Sequence, residues 1–132
     1  MLFTGVDHPA IACFDVQKMI DWYCAHLGMR LVASNGQKPP SVVVGYSQDT
    51  KGATMIELMP IREVKTPNPK DVNRWSPGVR HIALRVTDFD DAYAKLKSAG
   101  VEFLGDPVQA VGGGKIVSFR DIEGNELQIV QR

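Results

Sequence analysis

Nothing in this chain offers itself to nucleic acid, to a bilayer or to an oxidising compartment. Fifteen basic and fifteen acidic residues cancel to zero formal charge, which removes the electrostatic footprint a polyanion or an anionic membrane needs. No apolar run approaches the roughly 20 residues of a membrane span. The opening Met1-Leu2-Phe3-Thr4-Gly5-Val6-Asp7-His8 lacks a basic stretch followed by an apolar core, so no secretory signal is read there. Cys13 and Cys24 are the only cysteines, too few for a disulfide framework, and reduced, packed thiols are expected. A cytoplasmic protein with a small-molecule substrate, no nucleic acid and no membrane partner is the expectation. The chain's 132 residues suit a single domain that buries about two thirds of the surface its unfolded form exposes.

What the chain does have, it has twice. Val6-Asp7-His8 opens one apolar stretch and Val79-Arg80-His81 opens another 73 residues later. Glu57-Leu58 recurs as Glu126-Leu127, and helical patterns end near Gly28 and again near Gly100. Landmarks repeated in one order imply one supersecondary unit used twice. Folded about a pseudo-twofold axis, His8, Glu57, His81 and Glu126 can converge, and two imidazoles with two carboxylates make a ligand set for a divalent metal ion.

Periodicity and breakers place the elements. Thr4 to Phe14 reads as a strand, and Asp15 can cap a helix from Val16 to Leu27 whose Met19, Ile20, Tyr23 and Leu27 share a face. Strands follow at Met29 to Ser34, Ser41 to Tyr46 and Thr54 to Met59, with loops at Lys38-Pro39-Pro40 and Ser47 to Gly52. The second half predicts a strand from Arg80 to Val86, a cap at Thr87 or Asp88, and a helix to Ala99 with Phe89, Ala92, Tyr93 and Leu96 inward. Strands at Val101 to Leu104, Lys115 to Arg120 and Asn125 to Val130 complete it. The expected architecture is α+β: a single domain over 1–132, with repeat one at 1–60, a proline-bearing linker at 61–78 and repeat two at 79–132. Two tandem βαβββ repeats would form a curved open sheet or half-barrel with helices on the convex face.

Alternate side chains of a strand point to opposite faces. His8 therefore travels with Ala10 and Ala12, His81 with Ala83 and Arg85, Glu57 with Met55 and Met59, and Glu126 with Gln128. Ile11, Ile82, Leu84, Ile56, Leu58, Leu127 and Ile129 fall on the other faces, where a helix should cover them. The four polar candidates are thus expected on the concave side. Gly112-Gly113-Gly114-Lys115 is no phosphate loop, because no Ser or Thr follows the lysine and a strand comes next; it reads as a flexible hairpin approach. His26 reads as a solvated residue at the negative end of its helix, and Trp22 and Trp75 as packing or interface residues.

The His, Glu, His, Glu order within paired βαβββ units resembles the vicinal oxygen chelate superfamily of glyoxalases, bleomycin resistance proteins and dioxygenases, and glyoxalase I most of all. The segments that carry the resemblance are Ile20-Asp21-Trp22-Tyr23 to Leu27-Gly28-Met29, Val44-Gly45-Tyr46 to Ile56-Glu57-Leu58, Gly78 to Val86, and Asp121-Ile122-Glu123-Gly124-Asn125-Glu126-Leu127. It implies that His8, Glu57, His81 and Glu126 hold one divalent ion per site, as Ni, Zn, Co, Mn or Fe. Four protein ligands leave two adjacent positions for two oxygens on neighbouring carbons, and the ion then stabilises the enediolate formed when a proton leaves the carbon beside a carbonyl. The resemblance makes Glu126 the catalytic base, with Glu57 able to take or return the proton on the other face.

The expected function is a metal-dependent, glyoxalase-I-like lyase or isomerase of a small carbonyl compound, in a homodimer. The alternatives are another metal-dependent enzyme of the superfamily, an epimerase or a dioxygenase, and a non-catalytic binding or resistance protein. In glyoxalase I the resemblance would put a glutathione-binding arginine four residues after the first metal histidine and an asparagine four after the first metal glutamate. This chain has Ala12 and Ile61 there, so the metal chemistry is matched and the glutathione recognition is not. The repeat mate of Ala12 is Arg85, which is expected to bind an anionic substrate group from the face that carries His81.

Overall fold

The computed structural model describes residues 2–51, 54–63 and 67–132. Gly52 of the expected polar loop and positions 64–66 of the expected linker lie outside them. The chain divides into two compact units, Met1–Thr66 and Pro67–Arg132, and the βαβββ order runs through each.

In the first unit the elements are β1 (Ala10–Cys13), α1 (Val16–Leu27), β2 (Arg30–Ser34), β3 (Val42–Gly45) and β4 (Met55–Pro60). The sheet runs β1-β4-β3-β2, with β1 parallel to β4 and the other pairs antiparallel. The Asp15 carboxylate accepts the Lys18 amide at 3.0 Å and so satisfies a donor the first turn of α1 leaves open. Gly28 ends the helix at φ 68°, a left-handed conformation that a side chain would resist. Met19 and Tyr23 are fully buried, as are Cys13, Val44 and Leu58 of the sheet, and Ile11, Val42 and Ile56 nearly so; α1 packs on β2, β3 and β4. Each buried aliphatic side chain contributes roughly 1.5–3 kcal/mol. The Tyr46 hydroxyl donates to the Leu27 carbonyl at 3.0 Å, tying the end of β3 to the end of the helix.

The first strand is shorter than the expected Thr4 to Phe14, and Pro9 is the reason. The Glu57 amide donates to the Pro9 carbonyl at 2.9 Å and the Met55 amide to Asp7 at 3.4 Å, so the chain runs beside β4 before the strand begins. Pro9 has no N–H to offer in return, and the ladder starts at Ala10.

The second unit contains β5 (Ile82–Arg85), α2 (Phe89–Ser98), β6 (Val108–Gln109), β7 (Lys115–Arg120) and β8 (Glu126–Gln131), preceded by a 3-10 turn at Pro69–Asp71. Its sheet runs β5-β8-β7-β6, again with the first pair parallel and the others antiparallel. Asp88 caps α2 by accepting the Asp91 amide at 2.9 Å. Phe89, Leu96, Val117, Phe119, Leu127 and Ile129 are buried, and Tyr93 meets Phe103 edge to face at 4.7 Å.

The strand expected at Val101 to Leu104 is instead a single bridge, Phe103 to Phe119. Gly105 and Pro107 interrupt the edge, and pairing with β7 resumes at Val108 and Gln109. The glycine run closes the β6–β7 hairpin, with the Ala110 amide donating to Gly114 at 2.9 Å. The Arg132 guanidinium donates to the Val111 and Gly113 carbonyls at 2.7 and 2.6 Å, which holds that hairpin against the C-terminal strand. Among the described residues no helix is long and apolar enough to cross a membrane.

Candidate functional site

The faces left uncovered by the helices carry the polar candidates. In the first unit His8 lies just before β1 and Glu57 in the middle of β4, in register with Ala10 on one side and Val43 on the other. Ala10 and Ala12 are exposed while Ile11 and Cys13 are buried, so the alternation expected of β1 holds and leaves small residues around the histidine. His8 Nε2 is 3.4 Å from Glu57 Oε2. Its other ring nitrogen, Nδ1, is 2.6 Å from Asp7 Oδ1.

That contact organises the imidazole. With Nδ1–H donated to Asp7, the neutral ring carries its lone pair on Nε2, on the side of Glu57. A carboxylate behind a histidine, fixing its tautomer and raising its basicity, is the support a metal-ligating imidazole needs. The hydrogen bond to Asp7 raises the His8 pKa above 6.5; burial opposes it as the next-largest effect, and the charges of Asp7 and Glu57 and a hydrogen bond to Glu57 raise it further.

In the second unit His81 precedes β5 and is exposed; among the described residues it makes no hydrogen bond or ion pair. Ala83 and Arg85 are exposed with it, and Arg85 likewise makes no ion pair among the described residues. Glu126 opens β8 opposite Arg120 of β7. Its side chain is 7% exposed, and its Oε1 accepts from Arg74 Nη2 at 2.7 Å. Leading into Glu126, the Asp121 carboxylate accepts from the Glu123 amide at 3.0 Å and from the Asn125 amide at 2.9 Å, so the turn that aims β8 is internally braced. His26 packs against the Trp22 ring at 5.2 Å, part of a helix face rather than of the strands that carry the candidates.

The structure therefore brings His8 and Glu57 together and gives Glu126 an arginine. Among the described residues no group of three or more His, Cys, Asp or Glu side chains is placed to hold a metal ion. By donor chemistry, each unit offers one nitrogen and one oxygen donor of the kind a divalent ion takes: the His8 ring and the Glu57 carboxylate in the first, the His81 ring and the Glu126 carboxylate in the second. Two residues that matter here have no place in the expected set. Asp7 was legible, as a carboxylate adjacent to a candidate ligand; Arg74, 52 positions from Glu126, gave no local signal.

A family model described as the glyoxalase/bleomycin resistance protein/dioxygenase superfamily matches residues 5–129. The lactoylglutathione lyase of Escherichia coli is 28% identical over 130 residues, covering 94% of this chain and 90% of that one. The glyoxalase family protein of Enterococcus faecalis shares the fold with a TM-score of 0.75 at 21% identity, over 98% of this chain and 99% of that one. Leishmania major glyoxalase I does so with a TM-score of 0.74 at 19% identity, over 98% and 87%. With the model spanning both repeats, the chain belongs to the glyoxalase/bleomycin resistance protein/dioxygenase superfamily.

Proposed function

We propose that this protein is a divalent-metal-dependent lyase or isomerase of a small carbonyl compound, with His8 and Glu57 supplying one pair of ligands and His81 and Glu126 the other. The observation that carries the reading is the Asp7–His8–Glu57 arrangement: a histidine with one nitrogen bound at 2.6 Å to a supporting carboxylate and the other facing a second carboxylate at 3.4 Å. Membership of the superfamily and the lactoylglutathione lyase relatives support the same chemistry.

A bound divalent ion supplies Lewis acidity toward a carbonyl oxygen and its neighbour. Glu126 is the base that takes the proton from the carbon beside the carbonyl, and Glu57 returns it from the opposite face. The exposed alanines Ala10, Ala12 and Ala83 leave room for a substrate over the sheet faces. Arg85, charged and without an ion-pair partner among the described residues, binds an anionic group of the substrate; Ala12 and Ile61 provide no charge or amide for glutathione carboxylates. A homodimer is part of this reading.

The test is metal content and proton exchange. Protein purified without added metal and then titrated with Ni, Zn, Co or Mn should bind one equivalent per site and exchange the α-proton of thiol adducts of methylglyoxal. His81→Ala should lose the metal and His26→Ala should keep it. Equal retention in both variants would remove the site.

A further inference from the structure

Of the two carboxylates in the ligand set, Glu126 is the more enclosed: its side chain is 7% exposed against 30% for Glu57. An enclosed carboxylate needs a counter-charge, because desolvation without compensation is strongly unfavourable. Arg74 supplies it, through Nη2 at 2.7 Å to Oε1.

The guanidinium is delivered there by a built segment. The 67–80 strap is pinned at Lys70, whose ammonium is 3.1 Å from Glu102 Oε2 and whose aliphatic stem lies over Gly124, where an added Cβ would strike it. Asn68 caps the 3-10 turn by accepting the Lys70 amide at 3.0 Å. Asn73 accepts the Trp75 amide on its side chain at 2.9 Å, while its carbonyl accepts from Arg80 at 3.4 Å. Arg74 itself stays 43% exposed, with its guanidinium carbon 5.6 Å from the ring of Trp75, which is 85% exposed. The guanidinium thus already lies beside an exposed indole that attracts cations while it holds Glu126, so leaving the carboxylate need not cost it that contact.

We propose that Arg74 is the resident counter-ion of Glu126, competing with a divalent cation for that carboxylate and so setting the cation affinity of the site. The inference rests on the reading of Glu126 as a ligand. A divalent ion at Glu126 would bring a second positive charge to that carboxylate, and the guanidinium would give up Oε1 for solvent beside Trp75. Arg74 is a positioning residue, acting on the reaction only through Glu126.

Titrating the full chain with Zn or Mn alone, by calorimetry and by Trp75 emission in a Trp22→Phe background, tests this. Arg74→Ala should tighten cation binding tenfold or more, and Arg74→Lys should fall between it and the parent. Cation should shift Trp75 emission in the parent and not in Glu126→Gln. Circular dichroism of each variant checks that the fold persists, and Arg74→Met serves as a second neutral replacement should the alanine variant not fold. Parent-like or weaker cation binding in the neutral variants overturns the role of Arg74 while leaving the metal reading intact. Absence of cation binding in the parent and the neutral variants alike overturns both.

Discussion

The two units carry the same donor pair in surroundings of opposite charge. In the first, the residue before the histidine is Asp7, bound to the ring at 2.6 Å. In the second, the equivalent residue is Arg80, whose Nε is buried without a hydrogen-bond partner among the described residues. Glu57 faces a histidine at 3.4 Å, whereas Glu126 is held by Arg74 at 2.7 Å. The repeated framework keeps the histidine, the glutamate and the aliphatic face behind them, and the charges around the donors have diverged. An acid stands beside the histidine of the first unit, whereas arginines stand beside the histidine and the glutamate of the second.

The largest test of that asymmetry is Glu126→Gln against Glu57→Gln. With Glu126 as the base, its replacement should slow substrate proton exchange by about 10²–10⁴ while some metal is retained through the amide oxygen. Exchange at the parent rate would transfer the role to Glu57. The framework beneath should behave the other way, as two equals: Leu58→Ala and Leu127→Ala, repeat mates both fully buried, should each lower unfolding free energy by about 2–5 kcal/mol in urea titrations. A much larger loss from one of them would show that one unit carries the stability of both.

The acidic support of the first half is next. Asp7→Asn should weaken metal binding by about 10–100-fold, whereas Arg80→Gln, beside the other histidine, should leave it nearly unchanged. In the metal-free protein the His8 ring should titrate above 6.5, chiefly because of its hydrogen bond to Asp7, and NMR should show that elevation lost in Asp7→Asn. Because the folded-state pKa is raised, the protonated ring favours folding. Its contribution is complete below the unfolded value and disappears as pH rises through the folded one. The ring is 36% exposed, so the slope in stability should be shallow. The smallest effect expected is at the open end of β5: Arg85→Ala should raise KM for a carboxylate-bearing substrate roughly tenfold and leave metal content intact. An unchanged KM for charged and neutral substrates alike would make Arg85 a surface residue.

Much of this was legible because the repeat made each half a check on the other. The helix Val16–Leu27 stands where its periodicity and cap place it, since both are local properties; the strand Lys115–Arg120 has the expected bounds, although its facing was ambiguous in the sequence. Burial of Ile11, Ile56, Leu58, Leu127 and Ile129 follows from parity in the same way. Thr4 to Phe14 was read too long, since apolar residues say nothing about whether Pro9 can return a hydrogen bond. The edge at Val101 to Leu104 was misread because Gly105 and Pro107 break it after a single bridge. The supporting partners divide by distance along the chain: Asp7 is next to its histidine, while Arg74 reaches Glu126 only through the fold of the strap, anchored by Lys70 over Gly124.

Both cysteines belong to the first unit, Cys13 fully enclosed in β1 and Cys24 half-covered on α1. The second unit contains none, so a thiol reagent acts as a one-sided clock. Cys24 should react early. The delayed labelling of Cys13 then times the transient openings of the first unit alone, against a second unit that stays silent whatever its own motions.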